Sequence, residues 1–301
     1  MPYKNILIQS QKRLCITNNN LSIEEARIPL EDINSIVLDH PSILLSADFV
    51  NRCAENDIAV YVTDQQHMPN AMILSTPSKR NRLSMLQAQF SASKPLTKRL
   101  WKRIVDQKIH NQAICLKLLG IEGWTDIELY RREILSGDSS NVEARAAAAY
   151  FRNLYDRGFK RRKDTFENAC MNYGYAIIRG MIARSLVAHG LEASIGIGHC
   201  NKANAFNLAD DLIEPFRGFV DYFVNDRIIY EVGGEVEDGL TPDIKRTLVS
   251  MMNYDLLICD QYSIVQNCID VMIESYCRSL LSGKEELILP ELCSLQVHRY
   301  E

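Results

Sequence analysis

The residue types that could do chemistry are concentrated in one stretch of the second half of the chain. A Gly-rich loop over residues 196–201 reads Gly-Ile-Gly-His-Cys-Asn and contains His199. Three carboxylates, Asp210, Asp211 and Glu214, follow it near the start of an apolar run. Imidazole and carboxylate form a hard ligand set that suits Mg²⁺ or Mn²⁺, with waters and substrate phosphate in the remaining positions. The stretch therefore predicts part of a divalent-cation site, which a carboxylate elsewhere must complete.

Glu143 is the best candidate for that missing carboxylate, although it has a second interpretation. Ser140-x-x-Glu143 before an apolar run is a capping-box pattern, and on local sequence alone capping is the favoured reading. His199 could be an ordinary solvated loop histidine. Acidic residues near a helix start are also favoured by the helix dipole alone. The metal interpretation is supported because several possible ligands occur together. Asp211 and Glu214 are three residues apart and therefore share a helix face.

Composition and cysteine spacing exclude several classes of protein. The chain has 301 residues, 47% of them hydrophobic and 24% charged, which is typical of a globular protein. It has no apolar run long enough for a transmembrane helix and no signal-peptide pattern at its start, so we expect a cytoplasmic protein. None of the nine cysteines forms a C-x-x-C pair, and H-E-x-x-H is absent, so a zinc site is not predicted.

Charge is distributed unevenly along the chain. The segment 78–163 contains 19 Lys and Arg against 8 Asp and Glu, a net charge of +11. The remainder carries 15 basic and 30 acidic residues, a net charge of −15. A segregated positive zone can bind a polyanion such as DNA while the whole chain stays acidic. The simpler alternative is a solvated helical face.

The pattern of apolar residues predicts an α+β fold in two parts. Residues 1–76 contain short β-type runs and one helix, and predict a small β-rich N-terminal domain. A polar, basic linker covers 77–84 and includes a proline. Residues 85–301 predict a larger all-α catalytic domain, with helices that include 165–189, 208–223 and 243–259, the second kinked at Pro215. Residues 228–232 could be a strand or an extended link.

The chain also resembles a known protein family in several motifs. The segment from Phe166 to Asp221 is similar to the CRISPR-associated spacer-integration proteins, the Cas1 family, and most similar to its type II members. The specific motifs are the Gly-His loop, the run Asp-Leu-x-Glu-Pro-Phe-Arg at 211–217 and the run Asn-x-x-x-Asn-Tyr-Gly-Tyr at 168–175. There are two departures. Gly198 stands where type II relatives often have a second His, and Gly218 stands where Pro often follows Phe-Arg.

The resemblance implies a site and an activity. It implies Glu143, His199 and Glu214 as catalytic metal ligands for Mg²⁺ or Mn²⁺, with Asp211 and Asn168 beside them. The implied enzyme is a metal-dependent DNA endonuclease and integrase that inserts short DNA fragments into a CRISPR array by 3′-OH attack on a phosphodiester. It also implies double-stranded DNA as substrate, a homodimer formed through the N-terminal domain, and a larger complex with a Cas2 dimer. The alternatives are a non-catalytic DNA-binding scaffold of the same fold and a small-molecule metallohydrolase.

The basic side chains predicted to bind DNA phosphates lie in one turn and near the acidic motif. They are Lys160, Arg161, Arg162, Lys163 and Arg217. Arg217 could instead pair with Asp221, four residues on, and this is the favoured reading. Trp101 could stack on an unpaired base, but a core position is favoured for it.

Overall fold

The computed structural model describes residues 4–24, 26–65, 69–73, 82–156, 158–230 and 239–299. A β-rich N-terminal part is followed by a mainly helical part, so the predicted α+β class is confirmed. The predicted linker, 77–84, lies outside the described residues up to position 81, and a helix begins at Arg82. Within the described ranges, no helix is long and apolar enough to cross a membrane.

Two four-stranded sheets build the N-terminal part. The first contains β1 Lys4–Ile8, β5 Ile33–Leu38, β7 Ala59–Thr63 and β8 Pro69–Ile73, in the order β1-β5-β7-β8. Its first two pairings are parallel and the last is antiparallel. The second contains β2 Arg13–Thr17, β3 Asn20–Ile23, β4 Ala26–Pro29 and β6 Leu44–Leu45, in the order β4-β3-β2-β6. Helix α1, Ala47–Glu55, starts where the Ser46 hydroxyl accepts a hydrogen bond from the Phe49 amide.

The first sheet is buried on both faces. All six residues of β5 are buried, as expected for a central parallel strand that is covered on two sides. Ile36 and Val60 face the core of the N-terminal part, whereas Val37 and Tyr61 belong to the core of the helical part. Alternate side chains of the same strands thus enter two different cores. The N-terminal part is therefore packed onto the helices, and β5 and β7 are shared between the two cores.

The helical part is built around two long helices, Lys94–Leu118 and Phe166–Ala188. Its helices are α2 Arg82–Ser91, α3 Lys94–Leu118, α4 Trp124–Leu129, α5 Val142–Leu154, α6 Phe166–Ala188, α7 Asn207–Leu212, α8 Arg217–Val224, α9 Pro242–Ser250 and α10 Val265–Ser282. The expectation of an all-α second domain is wrong in one detail, because Asp255–Ile258 and Gln261–Ile264 form an antiparallel hairpin, β9 and β10. The run predicted as helix 243–259 therefore ends at Ser250. Short apolar runs such as Leu-Leu-Ile do not distinguish helix from strand, and the left-handed backbone of Cys259 and Asp260 makes the hairpin turn.

The segment 207–229 is one helical run with a break in its middle. A 3₁₀ turn, Glu214–Phe216, separates α7 from α8, as predicted from Pro215, which has no N–H to continue the helix. A π-helical turn, Asn225–Ile229, follows α8 where the sequence allowed a strand or a link up to 232. Residues 231 and 232 lie outside the described ranges. The break matters because it places Glu214 in the 3₁₀ turn, next to α3.

Helix α3 fixes this break by close contact. The Asn111 side-chain amide donates to the Pro215 carbonyl at 2.6 Å. A Cβ at Gly218 would lie 2.7 Å from the Asn111 carbonyl oxygen, so the backbones of α3 and α8 approach too closely for a larger residue. The departure at position 218 thus has a steric reason, and α3 is held against the acidic segment.

A buried ion pair joins the two parts of the chain. Lys245 Nζ of α9 lies 2.9 Å from Asp39 Oδ2 just after β5, and both side chains are almost fully buried. The Thr63 hydroxyl donates to the other Asp39 oxygen at 2.9 Å. Removal of one partner from a buried pair leaves an uncompensated charge in a low-dielectric environment.

We therefore expect Lys245→Ala to lower the free energy of unfolding by about 3–5 kcal/mol. The neighbouring Arg246→Ala is the control, since its pair with Asp243 is exposed and should change stability by no more than about 1 kcal/mol. Chemical denaturation of the two variants measures the difference. Equal losses would contradict a stabilising role for the buried pair.

Candidate active site

Asp211 organises the loop that contains His199. Its fully buried carboxylate accepts backbone N–H bonds from Gly198 at 3.0 Å, from His199 at 2.9 Å and from Ile197. It also lies 2.6 Å from Nδ1 of the His199 ring. At Gly196, a Cβ would be 2.2 Å from the His199 carbonyl oxygen, so the tight loop requires glycine there. Asp211 therefore sets both the loop conformation and the orientation of the imidazole.

The state of the His199 ring follows from that contact. The hydrogen bond to Asp211 raises the pKa of His199, with partial burial acting against it and the charges of Asp211, Glu214 and Glu143 adding to it. The side chain is 48% exposed. Because Nδ1 is engaged by Asp211, Nε2 is the ring nitrogen that can bind a metal ion.

Trp101 of α3 packs against this histidine. The two rings meet edge to face, with their centroids 5.7 Å apart. A Cβ at Gly198 would lie 2.5 Å from the indole, so the ring takes the space that any side chain at 198 would need. Trp101 is half-buried and lies beside His199. The sequence suggested either a core position or a base-stacking role for it, and neither interpretation included contact with the histidine.

Glu143 does not form the capping box. Helix α5 begins after Asn141, which has a left-handed backbone, and its first amides are capped by Asp138. The Asp138 carboxylate accepts from the Val142 amide at 2.8 Å and from the Glu143 amide at 3.1 Å. The Glu143 carboxylate is thereby left to face α3, where it contacts Lys108.

Lys108 lies between the two predicted carboxylate ligands. Its Nζ is 2.5 Å from Glu143 Oε1 and 2.5 Å from Glu214 Oε2. The Lys108 side chain is only 7% exposed, against 25% for Glu143 and 4% for Glu214. Burial lowers the pKa of Lys108, but the charges of Glu214 and Glu143 raise it by more, so the amine stays protonated. Lys108 belongs to none of the sequence motifs, so its place in the site is visible only in the structure.

Arg217 is the second cation of the site. Its Nε donates to Glu214 Oε1 at 2.9 Å, and its guanidinium lies 4.6 Å from the centre of the Tyr175 ring. Burial raises the pKa of Glu214, but Arg217 and Lys108 together lower it to about 2. The favoured pairing of Arg217 with Asp221 is wrong: Asp221 is buried and accepts hydroxyl hydrogen bonds from Tyr150 and Tyr175. Arg217 lies four residues from Asp221 but pairs with Glu214 instead.

Two of the three predicted ligands, Glu143 and Glu214, meet at the Lys108 ammonium, and the charges of both act on the third, His199. As they stand, no three His, Cys, Asp or Glu side chains in the described part of the chain are arranged to hold a metal ion. The donor set nevertheless fits one. Glu214 Oε2 is buried, and the Lys108 ammonium lies 2.5 Å from it. Two carboxylates and an imidazole are ligand types that Mg²⁺ or Mn²⁺ takes.

The side chain of Asn168 stabilises the basic turn at 160–163. Its hydrogen bonds within the described part of the chain do not involve Glu143, His199 or Glu214. Its buried amide donates to the carbonyls of Lys160 and Lys163, each at 2.9 Å, and accepts from Arg161 at 2.7 Å. Arg161 is held further by Asn172 at 2.8 Å. The side chains of Lys160, Arg162 and Lys163 are exposed. Asn168 and Arg161 therefore shape a turn that presents the other three basic side chains.

Comparison with known proteins places the chain in a family. Residues 3–231 match the family described as CRISPR associated protein Cas1. The chain is 34% identical to the CRISPR-associated endonuclease Cas1 of Neisseria meningitidis serogroup C (strain 8013), over 100% of both chains. The chain belongs to the Cas1 family. The resemblance to the Cas1 family seen in the sequence motifs is thereby confirmed.

Two solved structures share the fold of this Cas1 family member. A casposase bound to an integration product has a TM-score of 0.78 at 20% identity, and the match covers 94% of this chain and 92% of that one. A Cas6-RT-Cas1–Cas2 complex has a TM-score of 0.71 at 16% identity, over 96% of this chain and 36% of that one. Both likenesses extend across the N-terminal sheets and the helices together.

The role of Asp211 gives a direct test. We expect Asp211→Ala to lower the free energy of unfolding by about 2–3 kcal/mol, because charge-assisted hydrogen bonds to four donors are lost. Amide hydrogen exchange at residues 197–199 should become faster, as measured by NMR or mass spectrometry.

Asp210→Ala is the matched control on the same helix. Asp210 pairs with Arg179 at 2.5 Å in a partly exposed position. This variant should leave exchange at 197–199 unchanged. Wild-type exchange rates in Asp211→Ala would show that another group holds the loop.

Proposed function

We propose that this Cas1 family member is a Mg²⁺- or Mn²⁺-dependent DNA endonuclease and integrase that inserts short DNA fragments into a CRISPR array. The observation that carries the proposal is the pairing of Glu143 and Glu214 around one cation, close to a histidine whose Nδ1 is fixed by a buried carboxylate. The full-length relative that is named an endonuclease supports the nuclease activity. The casposase bound to an integration product supports strand transfer.

In this mechanism each side chain of the site has a stated task. Glu143, His199 Nε2 and Glu214 would hold the ion, which when bound stabilises the negative charge that develops on the scissile phosphate. Asp211 keeps the imidazole oriented through Nδ1. Arg217 helps keep Glu214 ionised, since the pKa of Glu214 is about 2 and no proton has to leave at neutral pH.

The reaction balances as a transesterification. The 3′-OH oxygen of the incoming duplex forms a bond to the target phosphorus, and the bond from that phosphorus to the 3′ oxygen of the target strand breaks. The proton of the attacking hydroxyl is lost and the leaving oxygen takes one up. Water in place of the 3′-OH gives simple cleavage.

The exposed basic turn is the proposed phosphate-binding element. Lys160, Arg162 and Lys163 are free to neutralise phosphates without reading bases. Arg161 acts indirectly, because its guanidinium is held by Asn168 and Asn172. Arg217 is partly exposed and lies beside Glu214, so any phosphate it contacts is close to the reacting one.

The proposed assembly has several copies of this chain. We propose a homodimer formed through the N-terminal domain and a larger complex with a Cas2 dimer, in the cytoplasm. The likeness to the Cas1-containing chain of a Cas6-RT-Cas1–Cas2 complex supports the partner.

A second function is favoured by one specific observation. Lys108 already neutralises both carboxylates, and no ready-made metal site exists in the described residues. That arrangement suits a non-catalytic DNA-binding scaffold of the same fold. Metal-dependent chemistry on DNA separates the two functions.

We expect Glu143→Ala, His199→Ala and Glu214→Gln each to abolish strand transfer and cleavage of branched DNA in the presence of Mn²⁺, because each removes a metal ligand. Duplex affinity should stay within about threefold of wild type, since phosphate contacts elsewhere dominate it. Gel assays with Mn²⁺ or a chelator measure both properties.

The control is Glu133→Ala, which removes an exposed carboxylate paired with Arg145. It should keep full activity. Activity that survives in all three ligand variants, or that persists with the chelator, would rule out this site as the catalytic one.

The basic turn makes a separate prediction. Combined replacement of Lys160, Arg162 and Lys163 by Ala should weaken binding of all duplex sequences alike, and should reduce the slope of log affinity against log salt by up to roughly 3, about one per lost phosphate contact. Lys284→Ala, an exposed lysine outside the basic segment, is the control. An unchanged salt slope would place the DNA elsewhere on the protein.

A further inference from the structure

Lys108 comes from a different element than either carboxylate it contacts. It lies on α3, whereas Glu143 begins α5 and Glu214 lies in the 3₁₀ turn after α7. Three separate elements thus meet at one ammonium group. Two carboxylates brought together under such burial repel each other unless a cation lies between them. In this structure that cation is supplied by the chain itself.

The two carboxylates are not held equally. Lys108 Nζ lies 2.5 Å from both Glu143 Oε1 and Glu214 Oε2. Glu214 has a second cation of its own, because Arg217 takes Oε1. Glu214 is therefore paired with both Arg217 and Lys108, and Lys108 is the cation that the two carboxylates share.

We propose that Lys108 is a built-in counter-cation that a divalent metal ion has to displace from Glu143 and Glu214. The inference rests on the proposed metal site. An ammonium group and a dication repel each other and would compete for the same oxygens. Lysine suits such an exchange, because a compact charge on a flexible four-carbon stem can move without rearrangement of the helix. Glu143 is 25% exposed, so the carboxylate pair has a side that is open to solvent.

Lys108 in this role is a positioning residue that acts through the two carboxylates. Without metal, the charge of Lys108 holds Glu143 and Glu214 together. When a metal ion binds, the ammonium group moves away from the two carboxylates. Metal affinity is therefore lower than the same three ligands would give without a competitor. The second buried lysine, Lys245, pairs with one carboxylate at the contact between the two parts of the chain and serves as a matched comparison.

The test is Mn²⁺ binding to the DNA-free chain of 301 residues, measured by electron paramagnetic resonance. Lys108→Met should bind Mn²⁺ at least about tenfold more tightly than wild type, because the competitor is gone. Lys108→Arg should bind it more weakly, since a planar guanidinium holds carboxylates at two points. Lys245→Met should bind it with wild-type affinity.

Thermal melting gives a second readout that does not depend on activity. Lys108→Met should melt below wild type without metal, and saturating Mn²⁺ should raise its melting temperature by more than it raises that of wild type. Lys108→Gln repeats the measurement with a polar side chain of similar length, should the methionine variant fail to fold.

The outcomes separate this inference from the proposed function. Mn²⁺ binding that is unaffected by Glu143→Ala and Glu214→Gln would overturn the metal site itself. Binding that depends on those carboxylates, but is equal or weaker in Lys108→Met and Lys108→Gln, would overturn the displacement by metal and leave the metal site standing.

Discussion

The burial of three carboxylates on one broken helical segment is the constraint around which the site is built. Asp211, Glu214 and Asp221 are all buried, and each is stabilised differently. Asp211 is held by backbone amides and an imidazole, Glu214 by two cations, and Asp221 by two tyrosine hydroxyls. Since an isolated carboxylate is too costly to bury, each fixes its partners in place. The break at Pro215 separates these environments along the run.

Helix α3 supplies the other half of the site from one face. Trp101, Lys108 and Asn111 are seven and three residues apart, so they align along the helix. They contact His199, the carboxylate pair and the Pro215 carbonyl, respectively. The geometry of the site therefore depends on how α3 lies against the segment 207–229. Gly218 permits the close approach of the two backbones.

The sequence predicted the acidic motif, the histidine loop and the family because their residue types are local and specifically spaced. It also predicted most strands, since β-branched runs between turn residues are local signals. Lys108 was missed because a lysine within a helical pattern reads as solvated until tertiary packing buries it. The capping box at Ser140 failed for a similar reason. Asp138 reaches the same amides once Asn141 adopts its left-handed backbone.

The contact between Trp101 and Gly198 has an evolutionary consequence. The indole and the missing side chain occupy one volume, so the two positions carry a single steric choice. A bulky residue at 198 requires the indole of Trp101 to move, and replacement of the tryptophan by a smaller residue leaves a gap beside His199. A substitution at either position alone is therefore costly, and a matching change at the other position is the simplest compensation. We expect the two positions to vary together among related chains.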